Sequence, residues 1–150
     1  MADTIEAKVT HRFKASPERV YDAFLDPAMV RLWQQAWGEE SGSGGEMTAC
    51  EIDPVVGGRF LFADMRADGE ARHWGTFTAL ERPTKIAFTW YTDPSEEEQT
   101  SLVTMIIEPE PDGPGAIVTL YHEMDAQWLE WVSRTEKGWI TMLQAIDTVL

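Results

Sequence analysis

The chain has 150 residues, 43% of them hydrophobic, and carries a formal net charge of −14. That length supports one domain (residues 1–150) with a real core, and that hydrophobic share excludes a disordered chain. The charge repels phosphate backbones and anionic lipid surfaces, so neither nucleic-acid binding nor membrane insertion is expected.

Met1 to Glu6 has no basic start and no apolar stretch, and no run approaches the ~18 apolar residues of a membrane helix, so a cytoplasmic protein is expected. The single cysteine, Cys50, permits no disulfide within the chain. From Ile5 to Phe13 apolar and polar residues alternate, which predicts a half-buried first strand. Ser16-Pro17-Glu18 then starts a helix, with Ser16 as N-cap and Pro17 at its first position. Asp26-Pro27 breaks that helix and starts a second short one through Trp33. Gly38 to Glu46 is Gly-rich and polar and reads as a mobile loop. Trp33 and Trp37, just before it, either anchor the two small helices or flank a pocket entrance beneath that loop.

Six further strands are expected at about 47–53, 58–66, 71–81, 85–91, 100–108 and 116–124, with short connections that imply an antiparallel meander. From Ala126 to Leu150, Trp128, Trp131, Trp139, Met142, Leu143 and Ile146 make one apolar stripe on a long helix capped by Asp125. Gly138 lies inside it, where glycine costs ~1 kcal/mol relative to alanine, and close approach to the sheet is the expected reason. The fold class is α+β, a curved antiparallel sheet wrapped around the C-terminal helix.

One hairpin can be aligned. With Asp68-Gly69 as a two-residue turn, Asp64 would face His73, Phe62 would face Gly75 and Phe60 would face Phe77, all on the inner face. Ala116, Val118, Leu120, His122 and Met124 alternate inward on the last strand. Asp64, His73 and His122 are therefore the candidate catalytic residues. A buried Asp–His pair can make a general base, or can serve only as a cross-strand pair, and His122 can equally be a satisfied core histidine. No zinc-ligand spacing, phosphate-binding loop, dinucleotide fingerprint or nucleophile elbow occurs, so no metal or cofactor is expected.

The chain resembles the START-like (SRPBCC, helix-grip) superfamily and, within it, the activator of heat shock protein 90 ATPase homologues. The residues behind this are Ser16-Pro17-Glu18-Arg19-Val20-Tyr21, Asp26-Pro27 with Trp33, and Gly57-Gly58-Arg59-Phe60. Asp68-Gly69, Gly75-x-Phe77, Pro83 and Ile86-Ala87-Phe88-Thr89-Trp90 continue the pattern. Val103-Thr104-Met105, Thr119-Leu120-Tyr121-His122, Gly138-Trp139 and Leu143 complete it. The resemblance implies a cavity between sheet and helix that holds apolar molecules and in some members hosts a reaction.

The sequence thus points to a small hydrophobic or aromatic ligand. The expected walls are Phe60, Phe62, Phe77, Phe88, Trp90, Val103, Met105, Leu120, Trp139 and Met142, with ordinary core packing as the competing role for each. Two alternatives stand beside it: a cyclase- or hydrolase-type enzyme using His73 or His122 as acid/base, and a protein-interaction, co-chaperone-like module. Edge strands and exposed aromatics also allow a homodimer.

Overall fold

The computed structural model describes residues 3–41, 46–67 and 69–150. The elements run β1 (Thr4–Phe13), α1 (Pro17–Leu25), α2 (Pro27–Ser41), β2 (Met47–Ile52), β3 (Arg59–Arg66), β4 (Gly69–Glu81), β5 (Lys85–Thr89), β6 (Ser101–Pro109), β7 (Ala116–Asp125) and α3 (Val132–Thr148). Seven strands form one antiparallel sheet in the order β1-β7-β6-β5-β4-β3-β2. The expected α+β helix-grip architecture is present.

Local chemistry explains the helix starts. The Ser16 side chain accepts from the Arg19 backbone N–H at 3.3 Å, and Pro17 follows where its missing donor costs nothing. The Asp26 carboxylate accepts from the Ala28 N–H at 2.9 Å and so opens α2. That helix is longer than expected. It runs through Gly38 to Ser41, so the first part of the expected loop is helical, and residues 42–45 of that loop lie outside the described residues.

The C-terminal segment is also corrected. Asp125 does cap, accepting from Gln127 N–H at 2.9 Å, but what it caps is a 3-10 turn over Ala126–Trp131. The α-helix begins only at Val132.

β4 gives the sheet its bend. Residues up to Thr76 pair with β3, while Phe77 to Glu81 pair with β5 across a register shift between Phe77 and Ala79. The hairpin register corrects the sequence expectation. Arg66 pairs with Gly69, Phe62 with His73 and Phe60 with Gly75, a shift of two residues. The Asp68-Gly69 turn is displaced with it, because Gly69 is already paired within β4; Asp68 lies outside the described residues. A side chain at Gly75 would collide with the Thr89 carbonyl oxygen and the Phe60 ring, so this residue sits where β4 leaves β3 for β5. Phe60, rather than Phe62, is the ring lying over it. An even shift keeps every side chain on its face, so Asp64 and His73 still point inward, with Ala71 opposite Asp64.

The core lies between the sheet and α3. Phe13, Ile86, Met105, Ile107, Leu120, Leu143 and Ile146 are its largest fully buried side chains. On β7, Ala116, Val118, Leu120, His122 and Met124 are all buried, as the alternation predicts. β1 is an edge strand whose Lys8 N–H donates to Glu136 on α3 at 2.9 Å, and His11 Nε2 meets the Asp147 carboxylate at 3.0 Å. These two contacts tie both ends of α3 to the sheet.

Candidate functional site

At one end of the grip the sheet and α3 do not close. A cavity of about 530 Å³ lies among the last turns of α2, the first turns of α3, the 3-10 turn before it and the inner face of the sheet. α3 presents Thr135, Gly138 and Trp139 here. A Cβ at Gly138 would meet nothing within 4 Å. The expected close approach of this glycine to the sheet is therefore corrected: the missing side chain is cavity space.

Tryptophan dominates the lining. Five of the seven Trp, at positions 37, 90, 128, 131 and 139, border the cavity. Trp37 stacks on Trp139 at 6.1 Å, and Trp90 meets Trp139 edge-to-face at 5.0 Å. Trp33, by contrast, donates its indole N–H to the Ala23 carbonyl at 2.8 Å and anchors α2 to α1. The two neighbouring tryptophans thus divide the roles that sequence left open between them.

His122 joins the walls. The Ser101 hydroxyl donates to the Trp90 carbonyl at 2.6 Å, so its oxygen accepts from His122 Nε2–H at 2.9 Å. Nδ1 then accepts from the Trp139 indole N–H at 3.1 Å. This chain of donors fixes one neutral tautomer. Burial pushes the His122 pKa down to about 4. Protonation would set Nδ1–H against the indole N–H. Both ring nitrogens are engaged, so His122 holds two cavity walls in register, which is the satisfied-core role weighed from sequence.

His73 differs. Its ring stacks on Trp90 at 5.0 Å with an interplanar angle of 19°, it borders the cavity, and no described residue hydrogen-bonds to it. Burial chiefly, then the nearby Arg66 charge, push its pKa down to about 4 against the opposing pull of Asp64. Asp64 itself accepts from Arg66 Nε at 3.0 Å and from Nη2 at 3.4 Å. Asp64, His73 and His122 all border this one cavity.

The expected wall residues separate into two groups. Phe62, Trp90 and Trp139 border the large cavity. Those three, with Phe60, Phe77, Phe88, Met105 and Met142, surround a second void of only about 30 Å³ deeper in the grip. Val103 and Leu120 border neither and are fully buried in the core. Sequence reasoning did not assign Arg66, Arg134, Gln34, Ser101, Trp128 or Trp131 to the site. By spacing, Trp128 and Trp131 belong to the apolar stripe of the long C-terminal helix. The 3-10 turn instead carries them to the rim, where Trp131 is 41% exposed. Among the described residues no three His, Cys, Asp or Glu gather as a metal cage, and no helix is long and apolar enough to cross a membrane.

Over residues 14–150 the sequence matches the family described as Activator of Hsp90 ATPase homolog 1-like protein. No curated protein matches it. Among solved structures it is similar to Mll3558 of Rhizobium loti, at 24% identity over 100% of this chain and 99% of that one with a TM-score of 0.70. It is also similar to SA2116 of Staphylococcus aureus, a protein of unknown function, at 17% identity over 99% and 96% with a TM-score of 0.74. CalU16 of Micromonospora echinospora is similar at 17% identity over 99% and 85%, with a TM-score of 0.64. At these identities the likeness is one of fold.

Proposed function

We propose, from the premise that this chain belongs to the Activator of Hsp90 ATPase homolog 1-like family, that it binds a small hydrophobic or aromatic molecule in the cavity between sheet and α3. The observation that carries this reading is a cavity of about 530 Å³ walled by Trp37, Trp90 and Trp139. Small-molecule sites span roughly 300–1,000 Å³ and are apolar with a few placed polar groups. Flat indole faces favour flat ligands through stacking, and each apolar Å² removed from water contributes about 25 cal/mol. Phe62 is the deep wall. His73 and the Asp64–Arg66 pair supply polar atoms that orient one end of a ligand.

Native mass spectrometry of the purified protein, followed by mild denaturation, tests the reading. A stoichiometric apolar molecule is expected, and Gly138→Trp, which fills the open space beside α3, should lose it. A protein that is empty as purified and takes up no aromatic probe would sink the proposal.

One observation favours a second reading, an acid/base enzyme. His73 faces the cavity as a neutral imidazole with no hydrogen-bonded partner among the described residues. On that reading His73→Gln abolishes turnover of a bound substrate and leaves its affinity intact; a loss of affinity with no turnover in either protein would decide for binding alone.

A further inference from the structure

The hydrogen-bonding groups around the cavity are unevenly used. Its carboxylates and the Gln99 carbonyl oxygen are engaged within the protein, while the neutral His73 ring keeps one donor and one acceptor nitrogen open among the described residues. Asp64 accepts twice from Arg66, Glu96 accepts from the Thr92 N–H and hydroxyl, and Gln99 Oε1 accepts from the Trp128 indole at 2.9 Å. His122 Nδ1 accepts from Trp139. Donors are left over. Gln34 Nε2 lacks a partner, but it is closed off from the cavity as well as from water. The Arg134 guanidinium lies 4.9 Å from the Trp131 ring centroid, with no carboxylate partner among the described residues. A guanidinium beside an aromatic rim is shaped for bidentate contact with a carboxylate.

Resting on the ligand-binding reading above, we propose that the ligand is a small aromatic acid. Its rings lie against Trp37, Trp90 and Trp139, and its carboxylate meets the Arg134 guanidinium at the rim. Asp64 offers a ligand cation little, because Arg66 already neutralises it; Glu96 accepts from Thr92 but keeps its charge, and the amine probe below tests it. The net charge of −14 opposes an anion at long range. That repulsion is screened beyond about 8 Å at physiological ionic strength, so the donors lining the cavity decide selectivity.

Titration calorimetry with three probes of one shape tests this: 2-naphthoate, 2-naphthalenemethanol and 2-naphthylmethylamine, at pH 7.5. The acid should bind about tenfold or more tighter than the alcohol, as one charge-assisted pair predicts, and the amine should bind weakest. Arg134→Gln should draw the acid-to-alcohol ratio towards one; Arg134 is exposed, so the variant should fold. If the alcohol or amine binds as tightly as the acid, or Arg134→Gln leaves the ratio unchanged, the ligand class is wrong while the cavity still binds. If none of the three binds, the ligand-binding reading falls and the aromatic acid with it.

Discussion

The two ends of the grip are made by the same sheet and the same helix, yet one closes and the other does not. At the closed end Phe60 packs on Phe62, Phe77, Phe88 and Trp90 with ring centroids 5.1–5.9 Å apart, and Met142 completes a shell around a void of about 30 Å³. At the open end the helix offers Arg134, Thr135 and Gly138 where the closed end has Met142 and Ile146, and the sheet offers His73, Ser101 and His122 where the closed end has phenylalanines. The difference is one of side-chain supply along α3. Large apolar residues fill the gap on one side of Trp139, and small or polar ones leave about 530 Å³ on the other. A cavity here needs no special backbone, only a helix that stops filling.

Four perturbations sharpen or break this contrast. Phe60→Ala should be the most damaging of the substitutions, at about 3–5 kcal/mol by urea unfolding, because it empties the closed end where nothing can collapse inward. A far smaller loss would mean that the closed end is not tightly packed.

The second perturbation is acid. His73 and His122 titrate at about 4 in the fold, below their ordinary 6.5. As pH falls the unfolded chain takes up these protons first. Stability from the two groups is therefore full above pH 6.5 and falls between 6.5 and 4, at no more than about 1.4 kcal/mol per pH unit for each. His122→Gln, whose amide can accept from Trp139 and donate to Ser101, should remove one of the two slopes when compared with the parent protein. An unchanged slope would mean that His122 is already charged or exposed.

Third, Ser101→Ala leaves His122 Nε2–H and the Trp90 carbonyl without partners at the boundary of the two ends. It should cost about 1–3 kcal/mol. A neutral result would mean that water replaces the hydroxyl. Last and smallest, Gly138→Ala should stabilise the protein by about 0.5–1 kcal/mol, since its methyl group enters open space in a helix interior. Destabilisation there would restore the close approach expected from sequence.

Much of this fold was legible because it is local. Ser16-Pro17 announced α1, and the alternation from Ala116 to Met124 identified the buried face of β7, His122 included. Face parity on β3 and β4 was equally readable, since it follows from period two alone. The register was not, because it is set by the passage of Gly75 past Thr89, a contact between strands that no turn residue encodes. The helical course of α2 through Gly38 is likewise not evident from composition, which reads that stretch as loop.

The site was half legible for a related reason. Sequence marks residues that fill space, so Phe60, Phe77 and Phe88 drew attention although they border only the small void. It does not mark where filling stops. Gly138 stands out in a helical stretch, but whether a missing side chain admits a neighbour or leaves a hole is decided by packing. Trp128 and Trp131 fit a helical stripe by spacing, and only the 3-10 turn that carries them redirects them to the rim.

The indole cluster has an optical consequence. Trp37, Trp90 and Trp139 have centroids 5.0–6.3 Å apart, close enough for their excited states to couple and for absorbed light to migrate among them. Emission from these three is then dominated by whichever lies lowest in energy, and each of them borders the cavity. The chain carries its own fluorophore at the place where a guest would sit, so quenching or a wavelength shift reports occupancy with no label added.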